Sequence, residues 1–242
     1  MAEFISGLQS DFIKCFVTKN RWRFITEGLG ATLQITLLSC IMGIVIGLVV
    51  AVVRSTYDKN YKQMRKGLGK GILAFFNFIC NIYLTVIRGT PVVVQLMIMY
   101  YIIFASSDNG ILIAVMAFGI NSGAYVAEIF RSGIMSVDQG QFEAGRSLGF
   151  GYISTMCYVI FPQAFKSVLP TLANEFIVLL KETSVAGYVA IQDLTKGVDI
   201  IRGATYETFL PLFVLAAIYL ILVIFFTRLV SILERRLRNS ER

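Results

Sequence analysis

Five stretches of the chain are continuously apolar: 29–53, 71–104, 111–131, 168–190 and 209–230. A helix needs about 20 residues to cross a hydrocarbon core of about 30 Å, and each stretch reaches that length. The runs do not alternate polar and apolar positions in short segments, which fits helices and excludes an outer-membrane barrel. The pattern predicts an all-α integral membrane protein with five transmembrane helices. The second run is too long for one crossing: at 1.5 Å per residue its 34 residues make about 51 Å, so the helix must protrude, tilt or break. Arg88-Gly89-Thr90-Pro91 lies near its middle. Pro91 cannot donate to the carbonyl of Ile87, and Gly89 lets a backbone or ligand come close. Broken backbone at membrane depth is tolerated where protein or a water-filled cavity covers the freed polar groups; a simple proline kink is the plainer alternative.

The segments between the runs set the orientation. Lys and Arg number six in 54–70, five in 228–242 and three in 131–167, against none in 105–110 and two in 191–208. Positive residues collect on the cytoplasmic side, so the three rich segments are expected inside, the C-terminus cytoplasmic and the N-terminus outside. Lys14, Lys19, Arg21 and Arg23 argue mildly the other way. Composition agrees with a membrane chain, 56% hydrophobic and 15% charged over 242 residues. The net charge of +7 becomes a topology signal, since the basic residues flank spans, and no nucleic-acid partner is implied. No cleaved signal is expected. Residues 1–28 read as an N-terminal interfacial segment, with Phe12, Ile13, Phe16, Trp22 and Phe24 on lipid and Trp22 at headgroup depth. Residues 29–230 then form one transmembrane domain and 231–242 a basic cytoplasmic tail.

Charges inside the runs are the candidate chemistry. Arg88 sits beside the break, and an intramembrane arginine costs at least about 2.5 kcal/mol on insertion scales, so a partner is expected. Glu128 precedes Arg131 by three residues, which allows either an interfacial ion pair or a functional role. Lys181 and Glu182 fall near the middle of a run beginning at Val168, followed by Thr183 and Ser184; adjacent residues point about 100° apart on a helix, so they cannot pair neatly with each other. Arg88, Glu182 and Thr183, with a freed carbonyl near Pro91, offer donors and acceptors suited to a zwitterionic small molecule; a purely structural salt-bridge network is the alternative. The chain has no histidine, which removes imidazole catalysis and histidine proton relays. Cys15, Cys40, Cys80 and Cys157 show no paired spacing, so neither a disulfide framework nor a metal site is suggested.

Between Arg131 and Pro162, on the expected cytoplasmic side, lies a short amphipathic segment. Asp138 can cap a helix, Glu143 follows within it, and Gly149 with Gly151 supplies a left-handed stop. Phe142, Gly145 and Gly149 share one face, shallow with a single aromatic knob, which suits either insertion into a groove of another protein or rest on lipid.

The stretch EAGRSLGFGYISTMCYVIFP, residues 143–162, resembles the EAA motif of ATP-binding-cassette importer permeases: Glu143, Ala144, a small residue at Gly145, Gly149, then Val159 and Phe161-Pro162. The family usually has Ala, Ile and Leu where this chain has Gly145, Val159 and Phe161. TLQITLLS at 32–39, IRGTPVVVQL at 87–96, NSGAYVAEIFRSGI at 121–134 and NEFIVLLKETS at 174–184 resemble successive signatures of the polar amino acid subfamily. The resemblance implies a type I importer permease fold in a prokaryotic plasma (inner) membrane. It implies that about 138–149 is the coupling helix, seated on a dimer of a separate cytoplasmic ATPase through Glu143, Ala144, Gly145, Gly149 and Pro162. A second permease subunit, identical or related, and an extracytoplasmic amino acid-binding protein are implied as further partners. Arg88, Gly89 and Thr90 match the family stretch near the substrate path; Glu182, Thr183 and Ser184, and more weakly Glu128, are the further candidates for that path.

No GxxxxGK[ST] sequence occurs, so ATP and Mg would be held by the partner and this chain would be a non-catalytic transport subunit without a cofactor of its own. The principal alternative is an ion-coupled secondary transporter of small zwitterions, which calls for paired broken helices where this chain shows one clear break. A membrane enzyme has little to work with, and a scaffold whose charges only hold helices together is a third. Mixed signs in the spans permit basic, acidic, neutral or sulfur-containing amino acids.

Overall fold

A computed structural model describes residues 7, 9–61 and 64–239, and every regular element among them is helical. We label the α-helices α1 (Trp22–Asn60), α2 (Leu68–Gly89), α3 (Val92–Ile98), α4 (Gly110–Ser136), α5 (Gln139–Ser147), α6 (Tyr152–Thr155), α7 (Phe161–Glu182), α8 (Leu194–Thr205) and α9 (Phe209–Asn239). Single π turns extend α3 through Met99–Ile103 and join α6 to α7 through Met156–Ile160, and a 3-10 turn, Thr183–Val189, follows α7. Among the described residues, four helices, α1, α2, α4 and α9, are long and apolar enough to cross a membrane.

The over-long second run breaks where the sequence says it should. Helix α2 ends at Gly89, Thr90 is extended at φ −123° and ψ 145°, and α3 restarts at Val92. Proline restricts the residue before it to extended conformations, so Thr90 leaves the helix because Pro91 follows it. The expected span at 168–190 lies differently. Helix α7 runs Phe161–Glu182, with Pro162 in its first turn and Pro170 accommodated inside it, so Lys181 and Glu182 stand at its C-terminal end. The π turn Met156–Ile160 leads directly into α7, and Phe161 keeps helical dihedrals, so the helical stretch starts well before the apolar run at Val168 does.

The chain forms two compact units. The first comprises the described residues up to Ser39, Val93–Phe118 and Ile177–Leu229; the second comprises the described residues of Cys40–Val92, Gly119–Phe176 and those from Val230 onward. In the first unit Cys15 and Phe16 are buried against Ile201, flanked by Phe24, Ile25, Leu210 and Val214. Phe16 was expected on lipid; it packs on protein instead, because Lys19 and Asn20 take left-handed conformations that turn the chain before α1. Phe12, Ile13 and Trp22 remain exposed. Hydroxyls tie the unit together: the Leu194 N–H donates to Thr32 Oγ1 at 3.0 Å, and Ser39 Oγ donates to the carbonyl of Val115 at 3.2 Å.

The second unit packs α1, α2, α4 and α7. Lipid tails are as apolar as leucine, so helices there associate through close contact and not through water expulsion. Gly47 is the sharpest case. A Cβ at that position would lie 2.5 Å from Val126 Cγ1, so α1 approaches α4 only because position 47 has no side chain. Around this contact Ala51, Val126, Phe130, Val168 and Leu172 form one buried cluster, and Val50, Cys80, Leu84, Ala124 and Ala127 another. Of the expected tail, residues 240–242 lie outside the described residues, as do Lys62 and Gln63 of the basic segment 54–70 and residues 1–6 and 8 of the N-terminal segment.

Candidate functional site

Helix α5 is the amphipathic segment that the sequence marks. Asp138 caps it, accepting from the Gly140 N–H at 2.7 Å, and it stops at Gly149, whose φ of +82° lies in the left-handed region that favours glycine. Gly151 does not share that conformation. Its φ is −68°, and it precedes α6 as an extended N-terminal residue, so the left-handed stop is made by Gly149 alone. Pro162 is the second residue of α7.

The direction of α5 differs from expectation. Phe142 packs with Val137, Met156 and Val159 against the buried cluster of Ile134, Ile160 and Ala164. Gly145 is buried against Thr155, where a Cβ would meet Cγ2 at 2.6 Å. The shallow aromatic face is therefore the inner face, held on the protein by ordinary apolar packing. What α5 offers outward is the opposite face, Gly140, Glu143, Ala144 and Ser147, together with Arg146; all five residues are exposed. Leu148 beyond its end is 76% exposed. Glu143 sits past the first turn, so the helix dipole gains little from it; its exposed side chain accepts from Gln139 Nε2 at 3.5 Å and lines the mouth of an open cavity of about 580 Å³ with Asp58, Lys59, Phe142 and Arg146.

In the second unit, Arg88 and Glu128 meet at 3.7 Å, which supplies the partner that an arginine beside the helix break requires. Both keep access to an open cavity of about 460 Å³, with side-chain exposures of 45% and 27%. Arg54, Asn81, Gly89 and Tyr125 line the same cavity. Arg54 Nη1 donates to the amide oxygens of Asn77, at 3.2 Å, and Asn81, at 2.5 Å, and the Arg88 guanidinium lies 5.7 Å from the centre of the Tyr125 ring. Glu128 also accepts from Arg131 at 3.0 Å, so the interfacial pair and the cavity contact coexist in one carboxylate. Thr90 Oγ1 donates to the carbonyl of Val86 at 2.8 Å.

The other expected path residues belong to the first unit. Thr183 is fully buried; its hydroxyl donates to the Leu180 carbonyl at 2.9 Å and lies 3.4 Å from the Thr36 hydroxyl, a bracing position. Glu182 is half-buried and Lys181 exposed. Ser184 lines a cavity of about 340 Å³ with Tyr188, Lys196, Asp199 and Arg202. Asp199 bridges the two cations there, at 3.3 Å from Lys196 and 3.1 Å from Arg202. Nearby, Asp193 is completely buried, and its Oδ1 caps α8 by accepting from the Lys196 N–H at 2.8 Å; burial pushes its carboxyl up to about 6.

Sequence reasoning missed Arg54, Asn77, Asn81 and the Asp193 cap. Asn77 and Asn81 stand four apart in an otherwise apolar helix, a signal that could have found them. Arg54 was counted only as a topology charge.

The chain is a multi-pass helical membrane protein with charge-lined cavities and a capped, exposed short helix. Residues 67–239 match the family described as binding-protein-dependent transport system inner membrane component, and the chain belongs to that family. It is 35% identical over 221 residues, 90% of this chain and 94% of the relative, to the arginine transport system permease protein ArtQ of Bacillus subtilis. It is 37% identical to the glutamine transport system permease protein GlnP of Escherichia coli, over 67% of this chain and 76% of that one. Among solved structures, an amino acid ABC transporter crystallised with histidines matches with a TM-score of 0.77 and 39% identity, covering 91% of this chain and 98% of that one. The MetNI methionine ABC transporter in an inward-facing conformation shares the fold, with a TM-score of 0.73 at 19% identity over 90% and 98% of the two chains. The protein is thus a permease component in the membrane.

Proposed function

We propose that this chain is the permease subunit of an ATP-driven importer for a polar amino acid, and that α5 is its coupling helix. In this reading it crosses the membrane five times, through α1, through α2 with α3, through α4, through α7 with its 3-10 turn, and through α9. The N-terminus is outside and the C-terminus in the cytoplasm. The six Lys and Arg residues of 54–70 and the basic end of α9 support that orientation. The outward face of α5, with Glu143, Ala144 and Arg146, then faces a cytoplasmic ATPase dimer, which holds ATP and Mg. A second permease subunit completes the path, and an extracytoplasmic binding protein delivers the substrate.

The observation that carries the substrate class is the cavity beside the α2 break. It places two guanidinium groups, Arg54 and Arg88, and one carboxylate, Glu128, around one open volume of about 460 Å³. An α-amino acid is a carboxylate and an ammonium on one carbon. The guanidinium forks suit the first and Glu128 suits the second, while Gly89 leaves room for a side chain. Relatives named for arginine, glutamine and cystine transport share that zwitterionic part and differ in side chain, which supports a site reading the common part. Ser184 and Glu182 take a further part of the path in this reading, and Thr183 braces it.

The test is uptake of radiolabelled amino acids into proteoliposomes carrying the permease with its co-purifying ATPase and binding protein. ATP-dependent accumulation that weakens in Arg88→Gln and Glu128→Gln supports the reading. Accumulation that follows an imposed ion gradient without ATP would replace it with a secondary transporter.

A further inference from the structure

At the C-terminal end of α1, two adjacent side chains reach two different elements. The Lys59 ammonium sits 3.4 Å from the centre of the Phe142 ring, on the inner face of α5. Asp58 Oδ2 lies 3.4 Å from Nη1 of Arg131 on α4. Arg131 turns its other nitrogens, Nε and Nη2, to Glu128 Oε2 at 3.1 Å and 3.0 Å. Glu128 uses its second oxygen, Oε1, toward Arg88 at 3.7 Å, and Arg88 lines the cavity. Signs alternate along the whole series, Asp58, Arg131, Glu128, Arg88, and each bridging residue meets its two neighbours through different atoms.

We infer that Lys59 and Asp58 form the link between the coupling helix and the substrate cavity: Lys59 holds α5 through Phe142, and the Asp58–Arg131–Glu128–Arg88 series passes a displacement of that helix to the cavity wall. The inference rests on the importer reading and adds to it the residues that connect its two ends. Three features favour a working link over a passive brace. Exposed ion pairs add little to stability singly, and each acid–base pair here is part-exposed, so the series is poorly placed to serve rigidity alone. Glu128 can answer either to Arg131 or to a substrate ammonium, so an arriving ligand competes with the series at one carboxylate. Arg131 forks between the last turn of α1 and its own helix, beyond the apolar clusters that Val50 and Ala51 make with α4, so a movement of that last turn reorients it. Asp58, Lys59 and Arg131 are positioning residues in this scheme; none of them touches the cavity.

The experiment compares ATP hydrolysis by the intact transporter in proteoliposomes with and without its binding protein, supplied with a mixture of the standard amino acids. In Asp58→Asn and Phe142→Leu, the ratio of stimulated to unstimulated hydrolysis falls by about five- to tenfold, within the usual range of coupling between sites. The ATPase still co-purifies in full amount, and Asp58→Glu and Phe142→Tyr, which keep the carboxylate and the ring, retain the ratio. The double variant is no worse than either single one, since both cut the same link. Unchanged stimulation in both single variants would overturn the inference and leave the importer reading standing. A multiplicative loss in the double variant, or loss of the ATPase from the complex, would overturn it in favour of independent structural roles. A wild-type complex without any stimulation or ATP-driven uptake would overturn the importer reading and this inference together.

Discussion

At the scale of single residues, the charges decide what the cavity can hold. Arg88 and Glu128 are part-exposed, so their 3.7 Å pair contributes at most about 1 kcal/mol to stability. A charged hydrogen bond to a bound zwitterion is stronger than that, about 1.5 to 3 kcal/mol. Neutralising either side chain is therefore expected to raise the half-saturating substrate concentration for uptake by about tenfold or more, while assembly with the ATPase is retained. Loss of the assembled complex in Arg88→Gln would instead mark the pair as structural. Asp193 makes a prediction of the opposite kind. Its buried carboxyl titrates at about 6, above the roughly 3.9 of an unfolded chain, so the folded state holds the proton more tightly. The sign follows from that: the contribution of Asp193 to stability is greatest below pH 4, falls as pH rises from about 4 to about 6, and levels off above, a loss of order 3 kcal/mol. Asp193→Asn keeps an oxygen to cap α8 but cannot ionise. Thermal unfolding in detergent should then show a flatter profile across that window and a higher midpoint than wild type at pH 7.5. A wild-type midpoint that rises from pH 4 to 6 would contradict the burial argument.

At the scale of elements, α5 and the α2 break carry the account. Helix α5 depends on two glycines for two different reasons. Gly145 is small because Thr155 leaves no room, and Gly149 is permitted a left-handed turn that alanine resists by about 1 to 2 kcal/mol. Gly145→Val overpacks that contact at about 1 to 3 kcal/mol, so it should lower the melting midpoint more than Gly145→Ala does. Both should reduce stimulated ATP hydrolysis as the helix shifts outward; equal midpoints for the three chains would show that the Thr155 contact is not tight. The α2 break was legible because Gly89 and Pro91 act locally and allow few alternatives. The extent of α7 was not, since the apolar run begins only at Val168, while the helix already starts at Phe161 and its first turns carry the polar Gln163, Lys166 and Ser167. The inward turn of Phe142 was hidden for a related reason: an apolar helix face looks the same whether it meets its own protein or a partner. Arg88 was flagged as costly and Glu128 as either an ion-pair partner of Arg131 or a functional residue, but the pairing of Arg88 with Glu128 joins residues 40 apart in the sequence, and no local signal encodes it.

At the scale of the whole molecule, the chain provides a polar cavity beside a broken helix and an exposed short helix, and its sequence holds no GxxxxGK[ST] motif. In the proposed importer reading, the energy arrives from a partner through the exposed face of α5. Glu143→Lys reverses the charge at the centre of that face without touching the inner packing. It should leave the protein inserted and folded, with the uptake and the bound ATPase both lost; a variant that transports normally would remove Glu143 from the coupling surface. The most direct measurement is ATP-driven accumulation of labelled amino acids by proteoliposomes containing the purified permease, its co-purifying ATPase and the binding protein, with no ion gradient across the membrane. The account predicts accumulation against a concentration gradient that requires ATP hydrolysis and disappears in Glu143→Lys. Accumulation by the permease alone, driven by an ion gradient and indifferent to ATP and to Glu143→Lys, would contradict it.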